Sequence, residues 1–368
     1  MKRLVVCCDG TWNQPDHLDR GVAAPTNVSK LALAVAPKDD EGNDQVLHYE
    51  PGVGTRRWER IRGGAVGIGL SRNVQECYRF LVESYEPGDE LYFFGFSRGA
   101  FTARSTVGLV RNSGILRAHH RDRIEDAYRL YRQRDPDSEP KGIDAELFRR
   151  LHCHPDLDIQ FVGVWDTVGA LGIPIDGFRP PFLSKLWTFH DTDLSSHVRN
   201  AFHAVAIDEQ RGAFEPTLWT QQPNTTGQTL EQVWFSGVHC DVGGGYRDPE
   251  LSEIALLWMV EKARACGLAF DPNRLVVTKD VTDPRARRAG VQVAPDARGP
   301  LRDSLTSFYR LLPRHERRLA GKQGAAVDGG SLASSAQRRY REDPGYRPPG
   351  LSEWLGADRP VTQVQDGG

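Results

Sequence analysis

The sequence predicts an α/β fold, a mostly parallel sheet with helices on both faces. Three observations predict it. Apolar runs of strand length recur at 3–8, 46–50, 90–94, 158–165 and 232–235. Segments of helical period or with a helical cap lie between several of them. Residues that carry chemistry stand at the ends of three of the runs, which is where an open parallel sheet presents its functional groups.

Thr26 can cap a helix that continues through Asn27, Val28, Leu31 and Val35, and the polar turn 37–43 closes it. Leu70, Val74, Cys77, Tyr78, Leu81, Val82 and Tyr85 repeat every three or four residues, so 69–85 is an amphipathic helix that Pro87-Gly88-Asp89 ends. Residues 100–111 have helical spacing, with Phe101, Ala103, Val107 and Val110 on one face. Residues 120–134 are charged and helical in character, 135–157 form a polar connector, and 251–268 form a second strong amphipathic helix.

At 368 residues the chain can build one large domain or two modest ones. Its formal charge of −2 leaves no basic footprint, which argues against nucleic acid as a partner. The six cysteines are scattered without C-x-x-C spacing and suggest reduced thiols. His152-Cys153-His154 matches no tetrahedral spacing, so neither a metal nor a cofactor is expected. The apolar run at the N-terminus stops at Asp9, too short for a signal segment, and no stretch is long enough to span a membrane. The expectation is synthesis in the cytoplasm, with any export by a route independent of signal peptides.

Gly95-Phe96-Ser97-Arg98-Gly99 is the most informative stretch, because a buried strand precedes it and a helix follows. In that setting G-x-S-x-G is a nucleophile elbow, the signature of an α/β-hydrolase-like sheet. A serine hydroxyl needs a base and an orienting acid, and in this fold the order is Ser, acid, His. Asp166 ends the 158–165 strand, and His239 lies in the glycine-dense loop after 232–235. Ser97, Asp166 and His239 are therefore the candidate triad. Asp241 is expected to pin the glycine loop through backbone N–H groups. The loop Asp9-Gly10-Thr11 follows the first strand, where the second oxyanion donor belongs. The backbone N–H groups of Arg98 and of Gly10 or Thr11 are the candidate oxyanion donors.

Several segments together resemble the catalytic domain of type VI secretion system phospholipase effectors, an α/β-hydrolase domain found in many uncharacterised bacterial and fungal proteins. They are Val5–Asn13, Tyr49–Thr55, Gly95–Ala100, Gly163–Val168, Ala206–Arg211 and Trp234–Tyr246. The resemblance implies the same triad and a lipase- or phospholipase-type cleavage of carboxylic esters through an acyl-enzyme. It also implies an ester or phospholipid substrate, transient contact with a membrane surface, and a secretion-apparatus or immunity protein as partner.

Residues 172–194 are apolar and aromatic without strand or helix period, inserted between the acid and the histidine. They are expected to form a cover, with Phe178, Phe182, Trp187 and Phe189 lining or closing an acyl site. The hydrolase domain is expected over 1–313, and the Arg/Gly/Pro-rich tail 314–368 to dock in part through Tyr340, Tyr346, Leu351, Trp354 and Leu355. Two other functions compete. One is a binding module that kept the fold without activity. The other is a phosphatase built on the Asp9 loop, whose nucleophile position would hold Cys7.

Overall fold

The computed structural model describes residues 1–10, 18–52, 65–155, 157–169, 193–223, 225–278, 290–305, 309, 313–321 and 327–367. In chain order the first elements are β1 (Arg3–Cys8), the two-residue ribbon β2 (Leu18–Asp19) and β3 (Val22–Ala23), α1 (Asn27–Ala34), β4 (Gln45–Glu50), α2 (Ala65–Ser84), β5 (Glu90–Phe96) and α3 (Arg98–Ser113). Then come α4 (Ile124–Arg132), α5 (Ile143–His152), β6 (Ile159–Trp165), β7 (Val198–Ala206), β8 (Thr229–Phe235), α6 (His239–Gly243) and α7 (Glu250–Ala265). The short strands β9 (Leu275–Val277) and β10 (Val291–Val293) pair with each other. The described residues close with β11 (Gly330–Ala333), α8 (Ser334–Glu342), α9 (Pro349–Gly356) and β12 (Val361–Thr362).

Eight strands form one sheet in the order β12-β11-β8-β7-β6-β5-β1-β4, and each neighbouring pair is parallel. A parallel sheet needs cover on both faces, and alternation along the strands supplies it. In β1, Val5 and Cys7 face one core with α1 and α7, while Leu4, Val6 and Cys8 face the other with α2 and α3. In β5, Tyr92, Phe94 and Phe96 join the first core, and Leu91 and Phe93 the second. Thr26 does cap α1, accepting the Ser29 N–H at 3.2 Å.

The winding reverses at β1. The chain starts at β1, steps outward to the edge strand β4, and returns to β5 on the other side of β1. Ligand sites of open α/β sheets lie at such a reversal, beyond the carboxyl ends of the strands. The ends of β1 and β5 carry Asp9-Gly10 and Ser97. The two backbones touch there, because a Cβ on Gly99 would come 2.1 Å from the Cys8 carbonyl oxygen and 2.4 Å from that of Asp9. A Cβ on Gly95 would sit 2.6 Å from the Ala100 Cα. Both glycines of the motif are thus fixed by backbone against backbone.

Three sequence expectations meet a different structure. Residues 135–157 hold the helix α5 as well as polar connector. Strand β7 has no counterpart among the apolar runs. Residues 330–333 and 361–362 lie within the main sheet, so the tail supplies strands as well as docking side chains. Of the expected anchors, Tyr346, Leu351 and Trp354 are buried in the first core, with Tyr340 and Leu355 packed at its margin.

The close approach at Gly99 yields a stability prediction. Gly99→Ala should lose about 3 kcal/mol in urea unfolding, the upper range for overpacking a rigid contact. Gly108→Ala should cost far less, since its Cβ would meet only the Tyr131 side chain, at 3.1 Å.

Candidate active site

Three strand ends converge on one hydrogen-bonded chain. Ser97 follows β5, Asp166 follows β6 and His239 follows β8 as the first residue of α6. The His239 Nε2 lies 2.8 Å from the Ser97 Oγ, and its Nδ1 lies 2.5 Å from the Asp166 Oδ2. All three side chains are buried. Ser97 takes φ 58° and ψ −121°, a region that side-chain-bearing residues avoid at a typical cost of about 1–3 kcal/mol. It stands at the N-cap of α3, yet its hydroxyl does not cap the helix. The hydroxyl faces the imidazole instead.

Asp166 also has a positive φ, of 37°. Its carboxylate accepts the Ala206 N–H at 3.0 Å and both terminal nitrogens of Arg317, at 2.6 and 3.0 Å. Burial alone would raise its pKa, but the Arg317 charge and then the His239 contact outweigh burial and hold it well below the usual carboxylate range. Arg317 itself is buried and also donates to the Ala206 and Phe214 carbonyls. Beneath the acid, the loop is fixed by His203, whose Nε2 accepts the Thr167 N–H at 3.1 Å. Burial pushes the His203 pKa down to about 3, so that ring is a neutral acceptor.

The imidazole of His239 is packed between the Phe96 and Phe214 rings, with centroids at 4.6 and 5.0 Å. Burial lowers its pKa more than Asp166 raises it, so the ring is neutral at neutral pH and able to accept a proton. Its backbone N–H approaches Glu209 at 3.3 Å, and Glu209 holds Arg211 at 2.8 Å. Arg211 in turn lies 3.6 Å over the Phe214 ring. Asp241 acts on the loop as expected, accepting the Val238 N–H at 3.1 Å, and Arg302 pairs with its other oxygen at 2.8 Å.

The proposed oxyanion donors fall in different positions. As the first residue of α3, Arg98 has an N–H with no acceptor inside the helix. The Gly10 N–H is committed to the Asp9 Oδ1 at 2.7 Å, so it is not open to a substrate oxygen in this arrangement. The same carboxylate accepts the hydroxyls of Thr26, Ser29 and Tyr49, at 2.7, 2.8 and 2.6 Å. Thr11 lies outside the described residues, as do Phe178, Phe182, Trp187 and Phe189. Cys7, where a phosphatase would place its nucleophile, is wholly buried in the first core, and burial drives its thiol pKa upward.

The His152-Cys153-His154 run does not gather donors. The Cys153 thiol donates to the Ser113 carbonyl at 2.9 Å, His152 packs on Phe148 and His154 on Tyr85. Among the described residues, His48, Glu50 and Cys77 are a mixed donor group, with ligand atoms within 4.8 Å of one another. His48 there already meets Glu50 at 3.3 Å. No described helix is long and apolar enough to cross a membrane.

Sequence reasoning missed Arg317, Glu209, Arg211 and Phe214. The segment Ala206–Arg211 carried a resemblance without a role, and nothing in the run Arg314–Arg318 marks one arginine for burial.

The chain belongs to the family described as the T6SS phospholipase effector Tle1-like catalytic domain, which matches residues 2–262. It is 28% identical over 243 residues to YEL023C, an uncharacterized protein of Saccharomyces cerevisiae, a match covering 60% of this chain and 33% of that protein. A crystal structure of an uncharacterized protein from Pseudomonas aeruginosa aligns at 20% identity and a TM-score of 0.40, over 74% of this chain and 47% of the other. The Tle1 effector bound to the VgrG spike of the type 6 secretion system aligns at 18% identity and a TM-score of 0.36, over 67% and 52%. The chain thus spans about a third of the curated relative and about half of each of these structures.

Removal of Arg317 tests the electrostatics. A carboxyl whose folded pKa is depressed adds stability above its unfolded pKa, about 3.9, and loses it as pH falls through the folded value. Arg317→Met should therefore destabilise the protein by roughly 3–5 kcal/mol at pH 7, the usual cost of leaving one buried charge of a pair alone. Denaturant unfolding of both proteins at pH 7 and pH 4 should show the gap narrowing in acid, where the abandoned carboxyl takes up a proton.

Proposed function

We propose that the protein is a serine hydrolase that cleaves the carboxylic esters of lipids through an acyl-enzyme. The observation that carries this reading is the Ser97–His239–Asp166 chain, at 2.8 and 2.5 Å, assembled on three strand ends with a neutral, buried imidazole in the middle. Family membership supports a phospholipid as the ester.

In this mechanism the Ser97 Oγ attacks the ester carbonyl while His239 Nε2 takes its proton. The imidazolium formed is stabilised by Asp166, which Arg317 keeps ionised and oriented. The tetrahedral oxyanion is met by the Arg98 N–H. His239 then protonates the leaving alkoxide. Water, activated by the same imidazole, attacks the acyl-Ser97 carbonyl and releases the acid. A lipid substrate brings transient contact with a membrane surface, and the family's description makes a secretion-apparatus protein the matching class of carrier.

A fluorophosphonate probe should label wild type on Ser97 and leave Ser97→Ala unlabelled. Ser97→Ala should also lose about 10³-fold or more of short-chain ester turnover while keeping its melting temperature. Labelling that survives in Ser97→Ala, or near-normal turnover, rejects the nucleophile.

His239→Ala should cost about as much as Ser97→Ala, and Asp166→Asn somewhat less, because the acid orients the ring rather than carrying the proton. The kcat/KM profile should rise with pH through an apparent pKa below the ordinary imidazole value of about 6.5, since burial favours the neutral ring. A midpoint above that value would contradict the buried, neutral base.

A further inference from the structure

Two arginines near the Ser97–His239 pair each hold a carboxylate. Arg317 holds Asp166 at 2.6 Å and Arg211 holds Glu209 at 2.8 Å. Arg98, the residue after the nucleophile, has no carboxylate partner among the described residues. Its Nη1 is shielded from solvent with no hydrogen-bond partner. Burial lowers its pKa to about 10, opposed by Tyr309 rather than by any described carboxylate, so it stays cationic at neutral pH. Tyr309 itself stands close to the site. Its ring lies 6.2 Å from that of Phe214, which packs edge-on against His239, and Arg211 approaches both rings. Arg98 is thus joined covalently to the nucleophile, and the tyrosine that acts on its charge neighbours the ring packed against the imidazole.

A guanidinium nitrogen withdrawn from water without a partner is costly, and arginine does not escape by releasing its proton. Its neighbours solve this with Asp166 and Glu209. Beside a nucleophile the missing anion can arrive with the substrate. In a glycerophospholipid the phosphodiester sits on the glycerol carbon next to the one bearing the sn-2 ester. A cation on the residue after Ser97 can then meet the phosphate while Ser97 meets the carbonyl, and a guanidinium fork suits two phosphate oxygens.

We propose that Arg98 binds the phosphodiester of the lipid and so selects phospholipids over neutral glycerides. This assignment rests on the serine-hydrolase reading above. Its charge partner is part of the substrate, which distinguishes it from the two arginines whose partners are built into the protein. Inorganic phosphate offers similar oxygens without the lipid, so the two sources must be separated.

The test compares wild type, Arg98→Lys and Arg98→Met on dihexanoyl phosphatidylcholine and on dihexanoylglycerol, which carry the same acyl chains. The ratio of kcat/KM for phospholipid to that for glyceride should fall by on the order of 30-fold or more in Arg98→Met, mainly through KM, the low end for truncating one partner of a buried charge pair. Arg98→Lys should recover much of the ratio. Inorganic phosphate should compete with glyceride hydrolysis only far above the phospholipid KM, and not in Arg98→Met. An unchanged ratio in Arg98→Met, with both esters cleaved, overturns the assignment and leaves the hydrolase standing. Tighter binding of inorganic phosphate than of phospholipid overturns it in favour of a soluble anion. If wild type cleaves neither ester and Ser97 resists the fluorophosphonate, the hydrolase reading falls and takes this assignment with it.

Discussion

A carboxylate with no exposure to water, Asp166, sets the terms for the rest of the site. Left alone at that depth it would take up a proton and lose its hold on His239. The protein prevents this with a second buried charge, Arg317, which lies 151 residues away in sequence. Once that pair forms, the acid is fixed in place, the imidazole tautomer follows from it, and the Nε2 lone pair faces Ser97. Arg317 also ties the Ala206 and Phe214 carbonyls together. One guanidinium thus joins the end of β7, the wall beside the imidazole and the acid.

The second constraint is topological. Because β1 and β5 are adjacent while β4 lies outside β1, β1 leads to α1 on one face and β5 to α3 on the other, and open α/β sheets form their crevice at such a point. The α3 N-terminus fills its floor, close enough that Gly99 admits no side chain. The strained Ser97 backbone is held from both sides: its N–H reaches the Trp165 carbonyl at 3.1 Å, and its own carbonyl accepts the Phe101 N–H at 3.3 Å. Asp9 stiffens the opposite lip with four hydrogen bonds.

The legible parts of the molecule were those whose chemistry is local. Ser97 announces itself through its two glycines and flanking elements, and Asp166 and His239 through strand ends in a fixed order. Strand β7 was hidden because Arg199, Asn200 and His203 interrupt its apolar run. His203 is buried all the same, within reach of the Gln232 side chain across the strands. Helix α5 buries only Ala145, so its pattern is that of a solvated connector. Arg317 was out of reach for a deeper reason. Its neighbours Arg314 and Arg318 are chemically identical to it, and only a partner distant in sequence distinguishes the one that is buried. Long-range charge pairing leaves no periodic trace.

The placement of Arg317 ties the site to the order in which the polypeptide is made. Ser97, Asp166 and His239 all emerge from synthesis well before residue 317, and so do six of the eight strands of the main sheet. Until the later segment folds back, Asp166 has no cation at its side and the imidazole has no firmly ionised partner. A ribosome-bound or clipped chain lacking that segment would carry every residue of the triad and still hold it unpoised. Under the proposed mechanism, readiness for chemistry therefore waits on a segment made after the triad itself, a built-in delay set by a single side chain.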